Sequence, residues 1–370
     1  MSARFLTVVL ERAFNMRDGF GREIDYMRIS VIDSCNLNCY YCNPCDNNEH
    51  CHALNILSVK EVLCIVRAAT RLGIKHFRLT GGEPLLHPQL DEMVLQIKKI
   101  SGVSSVSLTT NAVLLAQHAK WLKEAGIDSI NVSLDTIDAS EYERITKKPL
   151  LEEVKHGINA AIECGIRVKI NVVLTPQTDV VALTRYVAKK GTDIRFIEMM
   201  PVGEGHTNGV EPYKKVIGTL SKLYGEPCRI NTEKTKEINS GNDKRKIPDN
   251  GPAEYYIFPE LGIRVGLIQA IHGKFCATCN RIRVTADGRL MPCLGSSVTM
   301  DLVPDSWDFA DDVEKDFAIV RALRAAIKAK PRCHNFNDNA VTYTKTTETK
   351  TTEIEAAEVN AARNMSRIGG

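Results

Sequence analysis

From residue 26 to about residue 200 the chain alternates β-branched apolar runs with amphipathic stretches, a pattern that few folds can accept. The expected strands are 26–33, 75–80, 105–110, 128–135, 167–174 and 193–198. The expected helices are 58–72, 88–101, 113–125, 152–164 and 179–190, and Gly73, Gly102, Gly126, Gly165 and Gly191 stand where helix C-caps are needed. Strictly alternating units imply a parallel sheet with right-handed crossovers. Six of them make an α/β fold, a partial (β/α)6 version of the TIM-like barrel. Chemistry then gathers at the C-terminal ends of the strands.

After residue 200 the pattern changes. A helix is expected at 211–225, a polar loop at 229–251, strand-like runs at 253–258, 263–271 and 281–285, and a helix at 311–330. The expected organisation is a barrel at 1–200, a C-terminal α+β region at 201–337, a linker at 338–364 rich in Thr, Lys, Glu and Ala, and a tail at 365–370 that ends Gly-Gly.

Cys35, Cys39 and Cys42, spaced C-x3-C-x2-C, follow the first strand directly. Three thiolates on one short loop can hold three corners of a cubane iron–sulfur cluster and leave one iron open, whereas structural zinc wants four ligands. A second trio, Cys276, Cys279 and Cys293, is spaced C-x2-C-x13-C. His272 could complete a zinc site there, but beside the first trio a second cluster is favoured. Cys42 and Cys45 form another C-x2-C, so a different ligand choice stays open, and Cys51 is extra. Cys64, Cys164, Cys228 and Cys333 are expected to pack as small hydrophobes.

Parallel strands covered on both faces normally read as continuous apolar runs. Here Arg28, Arg78, Lys169 and Arg195 each sit between apolar neighbours. Alternation turns these cations toward the barrel interior, where an anion such as a phosphate ester must offset them, unless acids such as Glu198 or Asp135 pair with them. Arg281 and Arg283 flank Ile282 just past the second cysteine pair and share one face of a strand. Their forked donors match phosphate or a purine edge. Thr80-Gly-Gly-Glu-Pro84 ends the second strand and could present backbone groups to an amino acid. Thr109 to Asn111, and Asn131, Ser133 and Asp135, place polar atoms inside.

Charge argues for nothing larger than a local anion. With 48 basic and 45 acidic residues the net charge is +3, giving no field for nucleic acid or membrane. No stretch approaches a membrane span. Twelve cysteines without an export signal point to reduced, metal-bound thiols, hence to the cytoplasm. The nine histidines make no hydrolytic zinc pattern.

These motifs together resemble the GTP 3′,8-cyclase family, radical S-adenosylmethionine enzymes of molybdenum cofactor biosynthesis. The resemblance rests on Cys35 to Cys42, Thr80 to Pro84, Asn131 to Asp135, Phe275 to Arg283, Thr285 to Gly288 and the Gly-Gly end, and runs over 18–336 and 365–370. It implies two [4Fe–4S] clusters, one on each cysteine trio, with S-adenosylmethionine at the first and GTP at the second. Tyr41, Gly82, Ser133 and Met200 are implied as further cofactor contacts. Arg28, Arg78, Thr109, Lys169, Arg281, Ile282 and Arg283 are implied as the GTP set, and no catalytic residue beyond the clusters. The implied reaction cleaves S-adenosylmethionine to a 5′-deoxyadenosyl radical, which takes the 3′ hydrogen of GTP before the sugar closes onto C8 of guanine. Implied partners are an unidentified electron donor and a downstream cyclic pyranopterin monophosphate synthase, with the chain a monomer or homodimer. Another two-cluster radical enzyme, such as a peptide maturase, is the alternative. Ser34 stands where the family usually has arginine, and Ala112 where it has glycine.

Overall fold

The computed structural model describes residues 16–42, 55–202, 210–230, 251–296, 299–302, 312–334 and 336. The linker, the Gly-Gly tail, Cys45 and Cys51 lie outside them. Six βα units are present as expected. The strands are β1 Tyr26–Ser30, β2 His76–Thr80, β3 Ser105–Thr110, β4 Ser129–Ser133, β5 Val168–Val173 and β6 Asp193–Ile197. The helices are α1 Val59–Arg71, α2 Leu90–Lys98, α3 Leu115–Glu124, α4 Ala139–Thr146, α5 Leu151–Glu163 and α6 Val180–Lys189.

Each strand sends its apolar side chains toward the helices: Met27 and Ile29, Phe77 and Leu79, Ile130 and Val132, Ile194 and Phe196 are buried in one continuous core. Side chains with period two make this unavoidable once the helices cover the outer face. Ser58 and Glu61 close a capping box at the start of α1, and Asp179 caps α6. Gly73 ends α1 with φ of 87°, a left-handed conformation that a side chain would resist.

α4 has no counterpart in the sequence reading. It is short, buries only Tyr142, Ile145 and Thr146, and starts at the Asp138 cap, whose side chain accepts from Glu141 N–H at 2.8 Å.

The C-terminal part holds β7 Cys228–Ile230, β8 Glu254–Ile257, β9 Arg264–Ile268, β10 Arg281–Val284, β11 Arg289–Met291 and β12 Met300–Asp301. It also holds a π-helical turn, Tyr213–Ile217, leading into α7 Gly218–Tyr224, and the long α8 Asp312–Lys328. These strands do not form a sheet of their own. The order is β12-β11-β10-β1-β2-β3-β4-β5-β6-β9-β8-β7. β10 pairs in parallel with β1, and β9 in parallel with β6. The late strands therefore lengthen the barrel wall at both edges, from six parallel strands to eight. Cys64 is buried, while Cys228 and Cys333 are exposed rather than packed as small hydrophobes.

Ala112, at the end of β3, has φ of 65°, and its carbonyl lies where a Cβ on Gly157 of α5 would meet it at 2.4 Å. That turn cannot relax without moving α5. Ala112→Gly is expected to raise stability by about 0.5–1 kcal/mol, since relief of left-handed strain outweighs the added chain entropy. A lower urea midpoint would contradict this.

Candidate active site

The interior of the barrel is a cavity of about 660 Å³ lined by both cysteine trios and the strand cations. Its ends follow from topology. β1 and β10 are parallel, so the loop after β1 and the segment before β10 lie at opposite ends of the sheet. Cys293 follows β11, which runs antiparallel to β10, and so joins Cys276 and Cys279 at their end.

The first trio is held by its neighbours. The N–H groups of Asn38 and Tyr40 donate to the carbonyls of Thr146 and Ile145, at 3.0 and 3.1 Å. These are the last carbonyls of α4, which have no partner within the helix. The missed helix is thus what anchors the cysteine loop. On the other side, Gly82 and Glu83 N–H donate to Ile32 and Ser34 carbonyls at 2.7 and 2.8 Å. A Cβ on Gly82 would lie 2.1 Å from the Ser34 carbonyl oxygen. The glycine pair is there to let two protein backbones touch; its approach to a ligand is a separate matter.

Burial drives the Cys35 thiol up to about 11, with Glu83 adding to it. Burial and then Cys35 push Cys42 to about 12; burial, Cys42 and Asp135 push Cys39 up as well. Crowded thiols of this kind resist ionisation, and metal cations reverse that preference. The sulfur of Cys35 accepts from Leu37 N–H at 3.5 Å and Asn111 Nδ2 at 3.7 Å, donors suited to a thiolate. The donor set fits a cubane cluster bound by three sulfurs.

At the second trio, burial alone would raise Cys279, but Arg281 and Lys330 outweigh it and bring the thiol to about 7. Burial raises Cys276. His272, considered as a fourth zinc ligand, has its Nδ1 engaged by Glu198, which leaves Nε2 as its metal-binding nitrogen, but it is not among the residues that line the cavity with the trio. Among the described residues no three His, Cys, Asp or Glu side chains converge tightly enough to hold a single metal ion.

Between the trios lies a row of cations. Register sets Arg283 beside Arg28 and Arg28 beside Arg78 on adjacent strands. Neighbouring strands are only about 4.8 Å apart, so like charges in register repel. Burial and then Arg283 hold the Arg28 guanidinium well below its ordinary range. Burial and Arg281 bring Arg283 down to about 10. Lys169 is buried and lines the same cavity, as do Arg281 and Thr109. Arg195 also lines it; its Nε donates to Asn171 at 2.9 Å, and its Nη2 is buried without a hydrogen-bond partner. The acids considered as counter-ions have other work. Glu198 accepts from Ile271 and His272 N–H, and Asp135 accepts from Val173 N–H and from Tyr41 Oη at 2.5 Å. A multiply charged anion fits this interior.

Of the residues singled out in the sequence, Tyr41, Gly82, Ser133 and Met200 line the cavity. Ile282 is the exception: its side chain is buried in the core on the other face of β10, so only its backbone could meet a ligand. Sequence reasoning missed Tyr26, which precedes Arg28 by two positions and therefore shares its face. Burial would raise its phenol, yet Arg78 and Arg28 bring it below the ordinary range, and its oxygen accepts from Arg78 Nε.

Glu83 is wholly buried. It accepts from Leu85 N–H at 3.0 Å, and from Thr110 Oγ1 and Asn111 N–H at 2.7 Å each, yet burial wins and raises its carboxyl to about 7. A raised folded pKa means that the unfolded chain loses its proton first. Stability is then full below pH 4.5 and falls as pH rises to about 7, by up to about 3 kcal/mol. Glu83→Gln is expected to flatten that slope in urea titrations, and an unchanged slope would contradict the assignment.

An open α/β barrel with three thiols after its first strand defines a radical S-adenosylmethionine protein. The Radical SAM superfamily model matches residues 29–182, and Molybdenum Cofactor Synthesis C matches 192–336. Streptococcus suis SuiB shares the fold, with TM-score 0.55 at 15% identity over 82% of this chain and 68% of that one. The chain is 35% identical over 324 residues to the GTP 3′,8-cyclase of Clostridium perfringens strain SM101, covering 87% of this chain and 95% of the relative. It is 37% identical over 328 residues to that of Peptoclostridium acidaminophilum, covering 87% and 94%. The chain belongs to the GTP 3′,8-cyclase family.

Proposed function

We propose that the chain cyclises GTP to (8S)-3′,8-cyclo-7,8-dihydroguanosine 5′-triphosphate, the first step of molybdenum cofactor biosynthesis. The observation that carries this is the row Arg283–Arg28–Arg78, set in register between two cysteine trios at opposite ends of one cavity. A triphosphate offsets that repulsion. Lys169, Arg281 and Thr109 complete its binding set, with the Ile282 backbone beside them. Cys35, Cys39 and Cys42 hold one [4Fe–4S] cluster, and Cys276, Cys279 and Cys293 a second. Tyr41, Gly82, Ser133 and Met200 hold S-adenosylmethionine. When bound, the cluster and S-adenosylmethionine supply the radical that removes hydrogen from the ribose. The chain's own residues orient the nucleotide, and the enclosing wall excludes solvent from the reacting carbon.

The working units in this reading are a barrel at 1–200 and a C-terminal region at 201–337. The protein acts in the cytoplasm, takes electrons from a separate donor and passes its product to a cyclic pyranopterin monophosphate synthase. No described helix is long and apolar enough to cross a membrane. Incubating the anaerobically reconstituted protein with GTP, S-adenosylmethionine and a reductant is expected to give 5′-deoxyadenosine and a cyclised nucleotide. 5′-Deoxyadenosine formed only with a peptide substrate would contradict the reading.

A further inference from the structure

The second cysteine trio is assembled from separate pieces of chain, and two buried cations tie the pieces together. Cys276 and Cys279 sit in a short turn before β10, and Cys293 lies in the turn after β11. Nothing in a C-x2-C-x13-C spacing fixes the third sulfur against the other two. Lys330, just beyond α8, is 3% exposed. Its ammonium donates to the Arg281 carbonyl at 2.7 Å and the Pro292 carbonyl at 2.8 Å. The first carbonyl lies two residues past Cys279, and the second one residue before Cys293.

Arg22 does the same for the remaining cysteine. Its Nη1 donates to the Cys276 carbonyl at 2.7 Å and to the Arg332 carbonyl at 3.1 Å, and its Nη2 to the Pro331 carbonyl at 2.6 Å. Asp18, whose side chain is fully buried, fixes the Arg22 Nε at 2.5 Å. Lys330 has no carboxylate within ion-pair distance among the described residues. Burial lowers its pKa, while Cys279 and Cys293 favour its charge. A buried ammonium without an acid is costly, and the Cys279 and Cys293 sulfurs, two residues and one residue from the carbonyls it grips, supply the counter-charge once they bind a cluster.

We propose that Lys330 and Arg22 are positioning residues of the second site: together they hold its two cysteine-bearing turns in one arrangement, and Lys330 supplies positive charge beside the bound cluster. This rests on the reading of that site as an iron–sulfur cluster. Neither residue touches substrate in this account.

The test uses the full chain, reconstituted anaerobically with iron and sulfide, in two backgrounds. With Cys35, Cys39 and Cys42 replaced by alanine, only the second site loads. There, Lys330→Met is expected to lower bound iron by about twofold or more, because groups that orient metal ligands govern affinity. The cluster that remains should show a more negative midpoint potential, since a nearby cation favours the reduced form. Lys330→Arg keeps the charge and should restore the potential. Arg22→Met should lower iron content without that shift in potential. With Cys276, Cys279 and Cys293 replaced by alanine instead, only the first site loads, and Lys330→Met should leave its iron unchanged. Equal loss of iron in both backgrounds would mean a general folding role and would overturn the proposal. Unchanged iron and potential at the second site would overturn it too. A parent background that binds no iron at the second site would sink the cluster reading underneath it.

Discussion

Cys39→Ser is expected to remove S-adenosylmethionine cleavage, a loss of at least about 1,000-fold, while the second site keeps its iron. The reason is geometric. The loop from Asn38 to Tyr40 is fixed by the last carbonyls of α4, and the Ile32–Ser34 stretch by Gly82 and Glu83. The three sulfurs therefore share one rigid frame, and the loop cannot slide to recruit another donor in place of the middle one. Burial and the neighbouring Cys42 and Asp135 already press on the Cys39 thiol, so a weaker ligand there has little chance to bind as an anion. The readouts are 5′-deoxyadenosine by chromatography and iron per chain. Cys45→Ser is the companion variant. Full activity in Cys45→Ser keeps Cys42 as the third ligand; loss of activity there, with Cys42→Ser active, would contradict the assignment.

Arg28→Met should have effects of opposite sign on binding and on stability. GTP affinity should fall by about 100-fold, close to 3 kcal/mol, because a half-buried cation facing phosphate is lost from the middle of the row. The nucleotide-free protein should become more stable, by about 1 kcal/mol, because an apolar side chain of similar volume replaces a partly buried charge flanked in register by Arg283 and Arg78. Anaerobic equilibrium binding and denaturant unfolding measure the two. A purely structural arginine would give lower stability with little change in affinity, and that pair of results would contradict the anion-site account.

Much of this was legible because period-two alternation is a local property. Arg28, Arg78, Lys169 and Arg195 break apolar runs, and all four line the cavity. The strand positions followed for the same reason. Long-range pairing is a different matter. That β9 and β10 join β6 and β1 depends on register between segments far apart in sequence, which no single run of residues encodes. α4 was missed because an eight-residue helix with three buried side chains carries little periodic signal. Its Asp138 cap was the available clue. Lys330 was invisible as a lone basic residue after a helix; only the fold brings it to both cysteine turns. Ile282 marks the limit of the same rule: standing between Arg281 and Arg283, its side chain faces the core, and alternation says nothing of what its backbone meets.

GTP carrying deuterium at C3′ gives the most direct test of the whole arrangement. With both trios loaded and the nucleotide lying across the arginine row, the ribose must present that position to the S-adenosylmethionine end of the cavity. The predicted result is deuterium in the 5′-deoxyadenosine released, together with a cyclised nucleotide. Unlabelled 5′-deoxyadenosine, formed at the same rate with or without GTP, would contradict it.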